Sequence, residues 1–134
     1  MIFTERLTIY EIDDREDLKR RLLQIGSYSD IFELVYHYNW DDGFTLPEII
    51  SELEYCDMAT ALLLFYFSDG YRFLMKEEFL DNECRSLCEY IFNRIESGVH
   101  SSNGLSFNPG LNKVQKYKIM KLNPQLDGKL INGV

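Results

Sequence analysis

The fold is decided by one stretch of the chain, Met58-Ala59-Thr60-Ala61-Leu62-Leu63-Leu64-Phe65-Tyr66-Phe67. Almost every residue in it is apolar, and an α-helix that is apolar on all sides is buried on all sides. Asp57 precedes the stretch as a candidate N-cap, and Ser68-Asp69-Gly70 follows it as a stop signal. The stretch therefore predicts a helix at the centre of an all-α domain.

Helical patterns on both sides of this stretch would supply the layers that cover it. Candidate N-caps open three helices before it, at Asp13, Ser29 and Thr45, the last with Pro47 in its first turn. After it, Asp81 opens the longest pattern, in which apolar residues recur at the spacing of one helix face. These patterns indicate an all-α protein.

The two ends of the chain are less regular. Residues 1–12 fit a helix somewhat better than a strand, and residues 113–122 are basic and amphipathic, which favours a helix there as well. A strand stays open for both segments. We therefore expect a single domain over residues 1–122, with five to seven helices around Met58–Phe67, and a frayed tail over residues 123–134.

The charge of the chain is negative and unevenly placed. Its formal net charge is −8 over 134 residues. Residues 1–60 hold 14 acids and 5 bases, whereas residues 111–134 hold 1 acid and 5 bases. An acidic body repels phosphate backbones, which disfavours nucleic acid as a partner. It attracts a basic protein instead, although ordinary solubility is the simpler interpretation of the charge.

No segment predicts a membrane span or an export signal. The longest apolar run, from Ala61 to Phe67, falls far short of the ~20 residues that a span needs. The first residues lack a basic region followed by a long apolar stretch. We therefore expect a cytoplasmic protein that does not bind a membrane.

The three cysteines are typical of a reducing compartment. Cys84 and Cys88 lie four residues apart on one predicted helix, and we expect both to be small core residues. A zinc site would need further ligands at a suitable spacing, which His37 and His100 do not offer. No metal and no cofactor is expected.

A second distinctive segment runs from Asn39 to Pro47 and joins two predicted helices. It holds the only tryptophan, Trp40, and the run Asp41-Asp42-Gly43. We interpret it as a structural corner in which the acids cap backbone N–H groups, Gly43 supplies a permissive dihedral and Trp40 is a core pin with a hydrogen-bonded indole. The alternatives are an aromatic that stacks on a ligand, and a metal-dependent hydrolase that uses Asp41 and Asp42.

Two more aspartates are assigned to the structural corner. Asp57 is an expected N-cap of the central helix. Asp69 lies near the C-terminus of that helix, where a negative charge opposes the helix dipole. We therefore hypothesise that Asp69 forms a hydrogen bond to a neighbouring loop near Trp40.

Candidate partner-binding residues combine tyrosines with acids, a pairing that suits protein interfaces. A solvated helix face is the simpler interpretation of the same positions. The first candidate face consists of Tyr28, Asp30, Glu33, Tyr36 and Tyr38. The second consists of Asp42, Glu48, Glu52 and Glu54, beside the corner.

No motif indicates catalysis. A Cys–His nucleophile pair would need Cys56 near His37 together with an orienting acid, and the sequence does not place them together. A phosphate-binding glycine loop and a nucleophile elbow are both lacking. We therefore predict a protein that is not an enzyme and has no catalytic residues.

An ordered series of residues resembles a small, mainly bacterial domain family of unknown function. The series is Asn39-Trp40-Asp41-Asp42-Gly43-Phe44, Pro47, Ile50, Cys56-Asp57, Thr60-Ala61-Leu62, Phe65 and Asp69-Gly70. The resemblance covers about residues 28–74, leaves residues 98–134 outside, and implies no activity and no catalytic residues. Small acidic proteins of this kind are often immunity proteins, which are encoded beside a toxin and block it by binding.

The predicted function is therefore a non-enzymatic binding module of immunity type that binds and neutralises a basic toxin domain. One alternative is a structural or adaptor domain that acts by self-association, and another is the small metal-dependent hydrolase. The sequence leaves the oligomeric state open.

Overall fold

The computed structural model describes all residues from 1 to 134 and contains helices but no strands. The all-α prediction is confirmed. The nine α-helices are α1 (Phe3–Tyr10), α2 (Arg15–Leu23), α3 (Tyr28–Tyr36), α4 (Thr45–Glu52), α5 (Met58–Phe67), α6 (Gly70–Leu74), α7 (Asn82–Glu96), α8 (Lys113–Leu122) and α9 (Lys129–Asn132). A 3-10 helix lies at Trp40–Asp42. The number of α-helices exceeds the expected five to seven because α6 and α9 are helices of a single short turn each.

The central helix is α5, as predicted. Residues 58–65 are all buried, and α5 packs against α3, α4, α6 and α7. Asp57 caps it, because one carboxylate oxygen of Asp57 accepts the Thr60 N–H at 3.0 Å. Each fully buried leucine in α5 contributes about 2 kcal/mol of transfer free energy. The helix therefore anchors the core that the surrounding helices complete.

Three predicted N-caps are displaced by one or two residues. Asp14 caps α2 and Ser27 caps α3, whereas Asp13 and Ser29 had been expected. Thr45 is the first residue of α4 rather than its cap, and no side chain caps that helix. At α2 and α3, two nearby residues are each able to cap the helix, and the packing of the helix selects between them.

The junction between α5 and α6 explains the pair Asp69-Gly70. Asp69 adopts a left-handed conformation with φ 71°, which aspartate tolerates better than most residues. A Cβ atom at Gly70 would lie 2.4 Å from the Phe65 ring and 2.5 Å from the Phe65 carbonyl oxygen. Asp69 is exposed and lies 3.8 Å from Arg72, so the hypothesised hydrogen bond near Trp40 is wrong.

Helix α7 places a continuous apolar stripe against α5, as its pattern predicts. Asp81 caps it through the N–H of Glu83. Cys88 is fully buried and lies 3.3 Å from the Ser68 hydroxyl, whereas Cys84 is only partly buried. Cys88 is therefore the core residue that was expected, and Cys84 lies at the edge of the core.

The C-terminal segment is ordered by contacts with the body of the protein, which differs from the expectation of a frayed tail. Leu130 and Ile131 of α9 are buried. The Tyr66 hydroxyl donates to the Leu130 carbonyl oxygen, and Phe107 and Val134 exchange two backbone hydrogen bonds of 3.0 and 2.9 Å. A short apolar pair at the end of a chain gives too weak a pattern to reveal this packing.

None of the helices combines the length and the apolar character that crossing a bilayer requires.

Candidate functional site

The corner between α3 and α4 is built by local hydrogen bonds. The Asn39 side chain accepts the Asp41 N–H at 3.1 Å and so starts the 3-10 helix. Gly43 then adopts φ 104°, a conformation that other residues rarely reach, and the chain turns into α4. Pro47 is buried within the first turn of α4. The aspartates are not the capping groups here, because Asn39 supplies the acceptor and neither aspartate side chain accepts a bond.

Four aromatic rings pack one after another along the corner. The ring centroids of Tyr10 and Tyr38, of Tyr38 and Trp40, and of Trp40 and Phe44 are each 5.8 Å apart. Such tilted and edge-on pairs each add roughly 1 kcal/mol beyond their burial. Trp40 is partly buried and packs against the core, as predicted. Its buried indole N–H has no acceptor within the protein, whereas a hydrogen bond was expected.

The two tyrosine hydroxyls of the row tie the corner to its neighbours. Tyr10 donates to the Leu34 carbonyl oxygen at 2.7 Å, and Tyr38 donates to the Gly43 carbonyl oxygen at 2.8 Å. Burial raises the pKa of Tyr10 to about 12. Burial, and to a smaller degree the nearby Asp42 carboxylate, also raises the pKa of Tyr38. Both phenols therefore stay protonated at neutral pH and serve as positioning donors.

Two clefts open on either side of Tyr10, and both reach Asp42. One has a volume of about 290 Å³ and the other about 430 Å³. Their acidic rim is formed by Glu11, Asp13 and Asp42, which are all exposed and form no ion pair within the protein. We call these two clefts and their rim, Tyr10, Glu11, Asp13, Tyr38 and Asp42, the corner cleft.

One basic side chain also borders the larger cleft. Arg6 lies 3.8 Å from Glu33, so its charge is offset by a carboxylate of the same protein. Three acids without a basic partner therefore dominate the charge of the corner cleft.

The residues of the first predicted face do not form one surface in the structure. Asp30 lies 2.6 Å from the N-terminal ammonium group, which also lies 3.4 Å from Glu33. Tyr28 packs against Tyr55 in a tilted arrangement, with ring centroids 4.9 Å apart. Tyr36 is 57% exposed and forms a surface cluster with Phe32, His37 and Phe67. Tyr38 alone of this face belongs to the corner cleft.

The second predicted face is also uneven. Glu48 pairs with Arg15 at 3.2 Å across α2 and α4. Glu52 and Glu54 are exposed and form no ion pair, and Glu52 borders a small cleft of about 180 Å³ beside Tyr90. Asp42 lines both clefts of the corner. The structure thus brings Asp42 and Tyr38 together and leaves the other predicted partner residues apart from them.

Three residues of the corner cleft were missed by sequence reasoning. Tyr10, Glu11 and Asp13 come from the end of α1 and the turn after it, about 30 residues from the corner. They reach the corner because two long side chains of α1 contact α3: Arg6 lies 3.8 Å from Glu33, and the Tyr10 hydroxyl donates to the Leu34 carbonyl oxygen. No local signal carries this packing, since it depends on how two helices align in space.

The cysteine thiols are held in their protonated form. Burial raises the pKa of Cys56 to about 12, and burial also raises the pKa of Cys88 to about 12. The histidine beside Cys56 is His100, whose Nδ1 lies 3.0 Å from the Cys56 carbonyl oxygen, whereas His37 is exposed near the corner. This contact fixes a loop rather than activating a thiol.

No group of three or more His, Cys, Asp or Glu side chains is arranged to hold a metal ion. Asp41 and Asp42, the acids of the hydrolase alternative, are both exposed to solvent.

Residues 29–96 match the family described as Domain of unknown function (DUF4274). The match spans half of the chain, from α3 through α7, and therefore includes the corner, the central helix and the apolar stripe of α7. The chain belongs to this family. No curated protein and no solved structure matches the chain.

Proposed function

We propose that this DUF4274 protein is a non-enzymatic binding module, an immunity-type inhibitor that binds and neutralises a basic toxin domain in the bacterial cytoplasm. The observation that carries the proposal is the corner cleft. Its three rim acids have no basic partner within the protein, although ion pairs occupy Asp30, Glu33 and Glu48 nearby. A basic partner would supply the missing counter-charges.

In this proposal the corner cleft both attracts a basic protein from a distance and holds one of its side chains. Unpaired acids on a rim increase the rate of encounter with a basic protein more than they increase its affinity. Affinity comes from side chains that fill desolvated pockets. A lysine or arginine that enters the cleft would lie near the Asp42 carboxylate and the Tyr10 ring, where a cation–π contact is worth about 1 kcal/mol.

The chemistry around the cleft favours binding over catalysis. The Tyr10 and Tyr38 hydroxyls are committed to backbone carbonyl oxygens, and their raised pKa values keep both protonated at neutral pH. The acids stand on the exposed rim, in contact with solvent. Ring contacts and the two tyrosine hydrogen bonds position the rim before a partner binds, which supports preorganised binding.

A co-expression experiment tests this proposal. The gene beside the native one is expressed in a host, alone or together with wild-type protein, and growth is measured. The wild type is expected to restore growth, and pull-down from the native host is expected to recover the product of that gene. Failure of both would overturn the proposal.

A structural domain that acts only by self-association is the second candidate. The exposed apolar residues of α8 favour it, since Val114, Tyr117 and Met120 are each more than half exposed. It predicts a stable homo-oligomer in size-exclusion chromatography and no recovery of another protein. A monomer that recovers a basic protein would exclude it.

A further inference from the structure

Helix α8 carries a surface that contrasts with the rest of the protein. Ile119 is its one fully buried residue. Val114, Tyr117, Lys118 and Lys121 follow one another at i, i+3, i+4 and i+7, so they share the outward face of the helix. We call these four residues the α8 face. Val114 is 61% exposed and Tyr117 is 66% exposed, which is unusual for apolar and aromatic side chains on a packed helix.

The charge of the α8 face has no counterpart within the protein. Lys118 and Lys121 form no ion pair. Residues 111–134 hold 5 lysines and 1 aspartate, within a chain whose net charge is −8. The α8 face thus presents lysines beside apolar side chains, which is the chemistry that the corner cleft is proposed to bind.

The α8 face and the corner cleft are supported by different helices. The segment after α8 is held to α6 and α7, because Asn123 donates to the Leu74 carbonyl oxygen at 2.9 Å and the Asp127 N–H donates to Glu96 at 3.0 Å. The corner cleft is held among α1, α3 and α4. One molecule can therefore present both surfaces at the same time.

We propose that the α8 face binds the corner cleft of a second copy of this chain. Charge complementarity selects this occupant: the acids of the corner cleft meet Lys118 and Lys121, while Tyr117 and Val114 cover Phe3 and Leu7, the exposed apolar side chains that line the larger cleft. A contact between two α8 faces would set the same lysines against each other, which is unfavourable. The inference rests on the proposed function, since it uses the same corner cleft and makes self-association compete with the basic partner.

This contact joins two different surfaces, so it repeats from copy to copy and does not close into a symmetric dimer. Exposed ion pairs contribute little free energy and are screened by salt. The assembly is therefore weak, depends on concentration and dissociates in high salt. A basic partner that occupies the corner cleft would also disperse it.

Two charge-reversal variants test the contact. The α8 variant carries Lys118→Glu and Lys121→Glu and keeps its corner cleft. The corner variant carries Glu11→Lys and Asp42→Lys and keeps its α8 face. All four positions are exposed and form no ion pair, so both variants are expected to fold, and circular dichroism melting checks this.

Sedimentation velocity measures the outcome on purified protein. The wild type at low salt is expected to show a weight-average mass that rises with concentration and returns to the monomer at 1 M salt, where the Debye length is about 3 Å. Each variant alone is expected to stay monomeric. In their mixture an intact α8 face can meet an intact corner cleft, and the two reversed surfaces also carry opposite charges, so association should return when the variants are combined.

Three results would overturn the inference: a wild type that stays monomeric at low salt, a corner variant that still associates through its α8 face, or an α8 variant that associates as the wild type does. The measurement needs no toxin, so its failure is separable from failure of the proposed function. If self-association fails but the proposed function is correct, the α8 variant, which keeps its corner cleft, still protects cells.

Discussion

Asp57 and Asp42 both lie in the region that matches the family, yet the structure gives them opposite surroundings. Asp57 is fully buried and caps the central helix. Asp42 is exposed, forms no ion pair and caps nothing. Burying a polar side chain costs free energy unless it forms a hydrogen bond, and Asp57 forms one with the first turn of the central helix. Asp57 therefore serves the fold, whereas the exposed Asp42 carboxylate is free to contact the basic partner that we propose.

Among the buried residues, Gly70 is the position where we expect a substitution to lower the free energy of unfolding most. Gly70→Ala would place a Cβ atom 2.5 Å from the Phe65 backbone oxygen, where relief requires movement of the central helix. We expect a loss of about 3 kcal/mol in the free energy of unfolding, measured by urea denaturation. Gly128→Ala is the matched control, since its nearest neighbour lies at 3.9 Å, and it should be close to neutral. Equal effects of the two would refute the close-packing explanation.

The cap of α5 gives the next largest effect. Asp57→Ala removes the acceptor of the Thr60 N–H in the core and should lower the free energy of unfolding by about 1–2 kcal/mol. Asp57→Asn keeps an acceptor and should cost less. Asp42→Ala, on the exposed side of the comparison, should change it by less than about 0.5 kcal/mol. A loss at position 42 as large as that at position 57 would remove the distinction between the two residues.

Loss of the Tyr10 hydrogen bond between α1 and α3 is expected to have a smaller effect on the free energy of unfolding. Tyr10→Phe keeps the ring in the aromatic row but removes the donor to the Leu34 carbonyl oxygen. The expected loss is about 1 kcal/mol in the free energy of unfolding. Tyr117→Phe is the control, because Tyr117 is exposed on α8, and it should have no effect. If both substitutions are neutral, the hydroxyl does not position the corner cleft.

His100 gives the smallest predicted effect, a change with pH. Burial lowers the pKa of His100 below its ordinary value of 6.5, so the folded protein binds a proton less readily than the unfolded chain. Its contribution to stability is fully present above about pH 6.5 and declines as the pH falls toward the lower folded value. His100→Gln should therefore flatten the pH dependence of the unfolding free energy in this range. The same slope in the variant would show that other groups cause it.

The sequence predicts the buried half of the protein well, because buried helices carry periodic patterns. Met58–Phe67 and the stripe of α7 follow from the spacing of apolar residues, whereas the mostly exposed segment at residues 113–122, for which a strand stayed open, forms helix α8. The caps of α2 and α3 are displaced because Asp13 and Asp14, or Ser27 and Ser29, are equivalent locally. Spacing decides the helix, whereas packing decides its first residue.

The corner cleft could be predicted only in part. The segment at residues 39–47 is conspicuous in the sequence, and Tyr38 and Asp42 lie within or beside it. Tyr10, Glu11 and Asp13 join them only through side-chain contacts between α1 and α3, which leave no mark on the local sequence. The ion pairs that occupy Asp30 and Glu33 depend on the same packing. The site therefore emerges from tertiary contacts rather than from a motif.

Cell protection by charge-reversal variants tests most directly the claim that the exposed acids of the corner cleft bind a basic partner. The neighbouring gene is co-expressed with wild-type protein, with the Glu11→Lys/Asp42→Lys variant, or with a Glu78→Lys/Glu89→Lys control, whose two exposed acids lie outside the corner cleft. Both variants change the net charge from −8 to −4. We predict that the wild type and the control protect the cells and the corner variant does not, with equal melting temperatures for all three. Protection by the corner variant equal to that by the control would contradict the account.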